Sequence, residues 1–200
     1  MQFKQLKKGL VIGVGLLLLL SAIHPKDGFT WFLEVAPVLI AAPILWLTRR
    51  SFPLTPLLVC LIALHCAILI LGGHYTYAEV PLGFWMENWF GFARNHYDRI
   101  GHFAQGFVPA MIAREILLRK TTLQSGKLLG LLCICVALAI SAVYEIIEML
   151  VALSSGTAAD AFLGTQGDVW DTQMDMTLAW IGAMISQLLL SRWHDHQLRR

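Results

Sequence analysis

Six apolar stretches follow one another along the 200-residue chain. They run roughly over residues 9–23, 29–48, 53–72, 98–118, 128–153 and 171–193. Each approaches the ~20 residues needed to cross the hydrocarbon of a bilayer, and the shorter ones have Lys or Arg at an end, able to snorkel. At that depth every backbone N–H and C=O must be satisfied within the segment, so the stretches are expected to be helices. Hydrophobic residues make up 57% of the chain, charged ones 14%, and mean hydropathy is +0.65. That balance excludes a disordered chain, a nucleic-acid binder and an ordinary cytosolic enzyme. The expectation is an all-α integral membrane bundle of six transmembrane helices, one domain over residues 1–200, with the lipid bilayer as its first partner. The first stretch follows Lys7 and Lys8 as a signal peptide would. Ser21-Ala22-Ile23-His24 is a poor cleavage site, however, and the stretch reads as a retained helix.

Orientation follows from the basic residues. With the N-terminus inside, one side collects twelve of the fifteen Lys and Arg residues, and the other receives only Lys26, Arg94 and Arg99. Both termini are therefore expected in the cytoplasm. Trp31, Trp85, Trp89 and Trp170 fall at the outer boundary and Trp46 and Trp193 at the inner one, as in an aromatic belt.

Acidic residues do not set topology, so their placement is separate information. Asp27, Glu34, Glu79, Glu87, Asp98, Glu145, Glu148, Asp160, Asp168, Asp171 and Asp175 are assigned to the outer half, and only Glu115 and Asp195 to the inner side. At a rise of ~1.5 Å per residue, Asp98, Glu145 and Asp175 reach a common level about 24–27 Å from the basic ends of their helices. Asp98 and His102 are one turn apart and share a face. Glu145 and Glu148 are three apart, with Ser141 a turn below. Asp168, Asp171 and Asp175 share a face if the last helix begins before Asp168, and the stripe continues through Ala179, Gly182, Ala183 and Ser186, small residues that let helices approach closely.

Clustered carboxylates repel unless protonated, paired or bridged by a cation. Arg99 and Arg94 are expected to pair with two of them at most. The remainder, with His102, suits a divalent metal ion: zinc, manganese or magnesium. His102, Glu145, Glu148 and Asp175 are the candidate metal ligands, Asp98 or Asp171 the general base, and Arg99 or Arg94 a phosphate clamp. Cys60, Cys66, Cys133 and Cys135 lie at membrane depth and read as packing residues. The aromatic connection from His74 to Arg94 is expected to lie in the interface.

Four linked motifs resemble the YjdF-like family of bacterial inner-membrane proteins: Gly73-His74-Tyr75-Thr76-Tyr77, the segment from Asn95 to Phe107, Tyr144-Glu145-Ile146-Ile147-Glu148, and the segment from Phe162 to Met176. Met149 and Met174 stand where aromatics are expected, which touches packing rather than chemistry. The resemblance implies the bacterial inner membrane and no particular activity. The same Asp98/His102, Glu145/Glu148 and Asp171/Asp175/Gly182 pattern is similar, more sparsely, to VanZ-like membrane proteins, which implies a cell-envelope role.

Three functions fit this pattern. One is a metal-dependent hydrolase or transferase acting on a lipid-linked substrate at the periplasmic face. Another is a cation- or proton-coupled carrier, against which stands the expectation that the inner halves of the last three helices are nearly devoid of polar groups. The third is a structural or regulatory module in which the polar layer is a hydrogen-bonded latch.

Overall fold

The computed structural model describes residues 2–155 and 165–199. Every regular element among them is helical, as the backbone argument requires. The chain divides into two compact units, Met1–Asp98 with Val151–Gln166, and Arg99–Leu150 with Gly167–Arg200.

The first unit is built from α1 (Gln2–Ser21), α2 (Gly28–Thr48) and α3 (Pro56–Tyr75), then a 3-10 turn at Tyr77–Glu79 and α4 (Pro81–Phe90). Both α1 and α2 pack on α3, around Val35, Val38 and Ile70 with Leu17 and Leu18 against them. Helix α2 starts where Asp27 Oδ1 accepts the Thr30 N–H at 2.6 Å, and that bond holds the Asp27 carboxyl below its ordinary value. Helix α3 starts at Pro56, not at Pro53, because Thr55 caps it and proline suits the first turn. Glu34, assigned to the outer interface, is buried. Its Cβ would lie 3.1 Å from a Cβ on Gly73, so glycine lets α3 approach α2 there.

The aromatic connection is a turn and a short helix. Trp85, Trp89 and Phe90 of α4 stand exposed, as an interfacial segment requires. Gly91, with φ at 69°, ends α4 through its N–H to the Glu87 carbonyl.

The second unit holds most of α5 (Tyr97–Lys120) and α6 (Lys127–Ser155), and all of α7 (Asp171–Leu198). Helices α5 and α7 touch backbone to backbone. A Cβ on Gly106 would strike the main chain of Ala179, and one on Gly182 the Phe103 carbonyl. Ala179, Gly182, Ala183 and Ser186 are all buried, and the core beside them is small: Ala110, Ala113, Cys133, Ala137 and Ala183 with Leu129. Leu131, Ile140, Val143, Ile147 and Leu150 of α6 are exposed, a face suited to lipid.

Among the described residues, four helices, α2, α3, α6 and α7, are long and apolar enough to cross a membrane. Helix α1 carries Lys4, Lys7 and Lys8 in its first two turns, and α5 carries charge at both ends.

Candidate functional site

Two turns of α5 and the start of α7 build the acidic layer in the second unit. Arg99, in the first turn of α5, turns its guanidinium to three carboxylates. One terminal nitrogen donates to Asp168 Oδ2 and Asp171 Oδ1, each at 2.9 Å. The other donates to Asp175 Oδ1 and to the Asp171 carbonyl. The planar fork of arginine makes this multiple pairing possible. The side chains of Arg99, Asp171 and Asp175 are 12%, 8% and 2% exposed, so the charges meet largely away from water. The expected limit of two pairings for the arginines is therefore wrong, since Arg99 alone makes three. Arg94 belongs to the first unit, where it donates to the Thr165 carbonyl.

Asp168 is not on the helix. Helix α7 begins at Asp171, and Asp168 sits in the turn before it, where its Oδ1 accepts the Trp170 N–H at 2.9 Å. The three aspartates converge through a turn and a helix start, not through a single helical face. Gly167, with φ at 84°, gives that turn its direction.

His102 lies one turn beyond Asp98 on α5 and is buried. Its Nδ1 is 3.1 Å from Gln105 Oε1 and 3.6 Å from Glu145 Oε1. Its Nε2 is 3.9 Å from Asp175 Oδ2. Tyr144 meets the ring edge to face, with centroids 6.5 Å apart. The ring thus places one nitrogen beside the Gln105 amide oxygen and the other opposite a carboxylate oxygen, where either a ring proton or a bound cation satisfies the acceptors. The 3.9 Å gap is shorter than the roughly 4.2 Å sum of a zinc–nitrogen and a zinc–oxygen bond, so one ion can touch both. Glu145 and Glu148 are buried in the same unit. Asp160 and residues 162–164 of the last motif lie outside the described residues.

A second polar layer, which the sequence did not reveal, occupies the far ends of α5 and α7. Glu115 and His194 are fully buried. Glu115 accepts from His194 Nε2 at 3.0 Å and from Arg119 at 2.8 Å. Arg114 pairs with Asp195, which also accepts from Ser125 at 2.9 Å. Ser186 and Gln187 are buried nearby in the sequence of α7. The halves of α5 and α7 expected to be nearly free of polar groups are thus not apolar, which corrects that expectation.

Asn95, which opens the second motif, is 1% exposed in the first unit. Its side chain donates to the Val80 carbonyl and accepts the Tyr97 N–H, each at 3.0 Å. Its backbone pairs with the Gln166 side-chain amide through two bonds of 3.1 and 2.9 Å. A Cβ on Gly83 would strike the Asn95 amide, so glycine makes room for this hub. The pairing of the Gln166 side-chain amide with backbone 71 residues away leaves no local trace in sequence.

The chain matches the family model described as "Predicted membrane protein (DUF2238)" over residues 6–196. It is 53% identical over 185 residues to the inner membrane protein YjdF of Escherichia coli (strain K12), covering 92% of this chain and 88% of that protein. No solved structure matches it. With four motifs, apolar helices and this match in agreement, the chain belongs to the YjdF-like family of predicted membrane proteins, DUF2238.

Proposed function

We propose that the protein crosses the bacterial inner membrane six times with both termini in the cytoplasm. In this reading the layer around His102 is a divalent-metal site at the periplasmic face. The metal-bearing site acts as a hydrolase or transferase on a lipid-linked or cell-envelope substrate. The observation that carries the reading is that His102 Nε2 and Asp175 Oδ2 face each other 3.9 Å apart in a buried setting, within reach of one ion. A cation held between them joins an imidazole nitrogen to a carboxylate, and the Nδ1 contact with Gln105 orients the ring as partners of metal-bound histidines do.

His102 and Asp175 are the central ligands, with Glu145 and Glu148 completing the set. Zinc, manganese or magnesium suits this mixture of oxygen and imidazole. Asp98 or Asp171 serves as general base for a metal-activated water. Arg99 orients the aspartates instead of clamping phosphate, because its donors are directed at carboxylates. The test is elemental analysis of detergent-purified protein beside His102→Ala and Glu145→Gln. A near-stoichiometric metal, lost in both variants, is the expected result. Native protein without metal after supplementation would reject the reading.

The second polar layer favours a cation- or proton-coupled carrier as the alternative. Glu115, His194 and Gln187 place buried polar groups on the same two helices as Arg99 and Asp175, and such groups often mark ion pathways. Flux into proteoliposomes that requires both Glu145 and Glu115 would favour the carrier over the enzyme.

A further inference from the structure

Helices α1, α2 and α3 of the first unit enclose a cavity of about 490 Å³, within the range of small-molecule sites. Its walls are apolar, formed by residues such as Leu10, Val14, Leu18, Val38 and Ile62. Gly15, Ala41, Ala42 and Ala63 also line it and, being small, leave the space. The lining of α1 reaches from Lys7 to Leu18, eleven helical steps or about 16 Å. That is about half the ~30 Å thickness of the hydrocarbon core, the depth of one leaflet.

The chemistry changes at one end only. Lys7, at the start of α1, and Arg49, at the end of α2, both line the cavity. The Arg49 guanidinium stacks 3.6 Å from the centre of the Trp46 ring and donates to the Trp46 carbonyl, so it is held in place. Among the described residues, no carboxylate pairs with Lys7 or Arg49. A one-leaflet apolar cleft with two uncompensated cations at its mouth complements an apolar chain that ends in an anion.

We propose that this cavity holds one acyl chain of an anionic glycerophospholipid, with the lipid phosphate against Lys7 and Arg49. Basic groups between helices at a headgroup plane recognise such lipids. A zwitterionic lipid offers the same chain and phosphate but brings its own ammonium, which these two cations repel.

The test is native mass spectrometry of the full-length protein in detergent, with added phosphatidylglycerol or phosphatidylethanolamine of identical chains. Two variants address the two halves of the site. Lys7→Gln with Arg49→Gln removes the cations. Gly15→Leu fills the cleft, and it is compatible with the fold because a Cβ at Gly15 meets nothing within 4 Å. Lys8→Gln, on α1 but outside the lining, is the control. The expected result is retention of phosphatidylglycerol over phosphatidylethanolamine, reduced about tenfold or more in both variants and unchanged in the control. Equal retention of the two lipids by the native protein would overturn the proposal. So would native-level phosphatidylglycerol retention in Gly15→Leu. A change of oligomeric state in Gly15→Leu with lipid retention unchanged would make the cleft a contact between copies, and would also overturn it. Should the double variant fail to fold, Gly15→Leu decides the question alone.

Discussion

Arg99 concentrates more of the electrostatics of α5 and α7 than any other side chain described. Removing one partner of a buried ion pair leaves an uncompensated charge and typically costs about 3–5 kcal/mol. Arg99→Met, which leaves three carboxylates facing one another, is expected to lose that much or to fail to fold. Arg99→Lys should fall between native and Met, because an ammonium cannot reproduce a planar fork. Thermal unfolding in detergent measures both. Asp168→Asn should cost less than Asp175→Asn, since the Asp168 side chain is 30% exposed and that of Asp175 2%. At the opposite extreme is Asp27, whose role is local. Its folded value lies below the ordinary 3.8 because the Thr30 N–H binds the ionised form. Its capping contribution is therefore complete above that ordinary value and is lost as pH falls through the lower folded one. Asp27→Ala should cost about 1 kcal/mol at neutral pH. Hydrogen exchange in the first turn of α2 should quicken in that variant at pH 7, and should match the native protein once Asp27 is protonated.

Packing between elements makes a sharper prediction than any cap. Gly182→Leu drives a side chain into the Phe103 carbonyl and should abolish the native state, whereas Gly15→Leu has open space. Comparing their melting curves separates a glycine needed for close approach from one that is merely present. The small-residue stripe that distinguishes them was legible in sequence, because Ala179, Gly182, Ala183 and Ser186 recur at helical spacing. The six helical stretches were legible from their apolar length, with ends misjudged by up to seven residues: α1 begins at Gln2, and the Thr55 cap delays α3 to Pro56. The pairing of Arg99 was not legible. It depends on Asp168 lying in a turn outside the helix, and helical spacing has nothing to say about a turn. The second layer was hidden differently. Arg119 and Glu115 are four apart, a spacing that usually marks a solvated face, and only contact with His194, 79 residues away, reveals that Glu115 points inward.

For the molecule as a whole, six crossings require that both termini and the connection at residues 121–126 share a compartment, with residue 91 opposite. A reporter that fluoresces only in the cytoplasm should be bright at either terminus. An enzyme active only in the periplasm should work when joined after Gly91. Dark termini with a silent fusion at Gly91 would reverse the assignment, and bright termini with a silent fusion at Gly91 would change the number of crossings before it. The pairing of Arg99 with α7 also has a consequence for how the protein is made. Helix α5 is not apolar enough by itself to count among the four clear spans, and Arg99 meets its first aspartate 69 residues later in the chain. Translation at ~5–20 residues per second puts roughly 3–14 s between the emergence of the arginine and that of its first partner. Throughout that interval α5 has no counter-charge from α7, so it must wait beside the insertion machinery, and a nascent chain stalled before Asp168 should remain there with α5 unreleased.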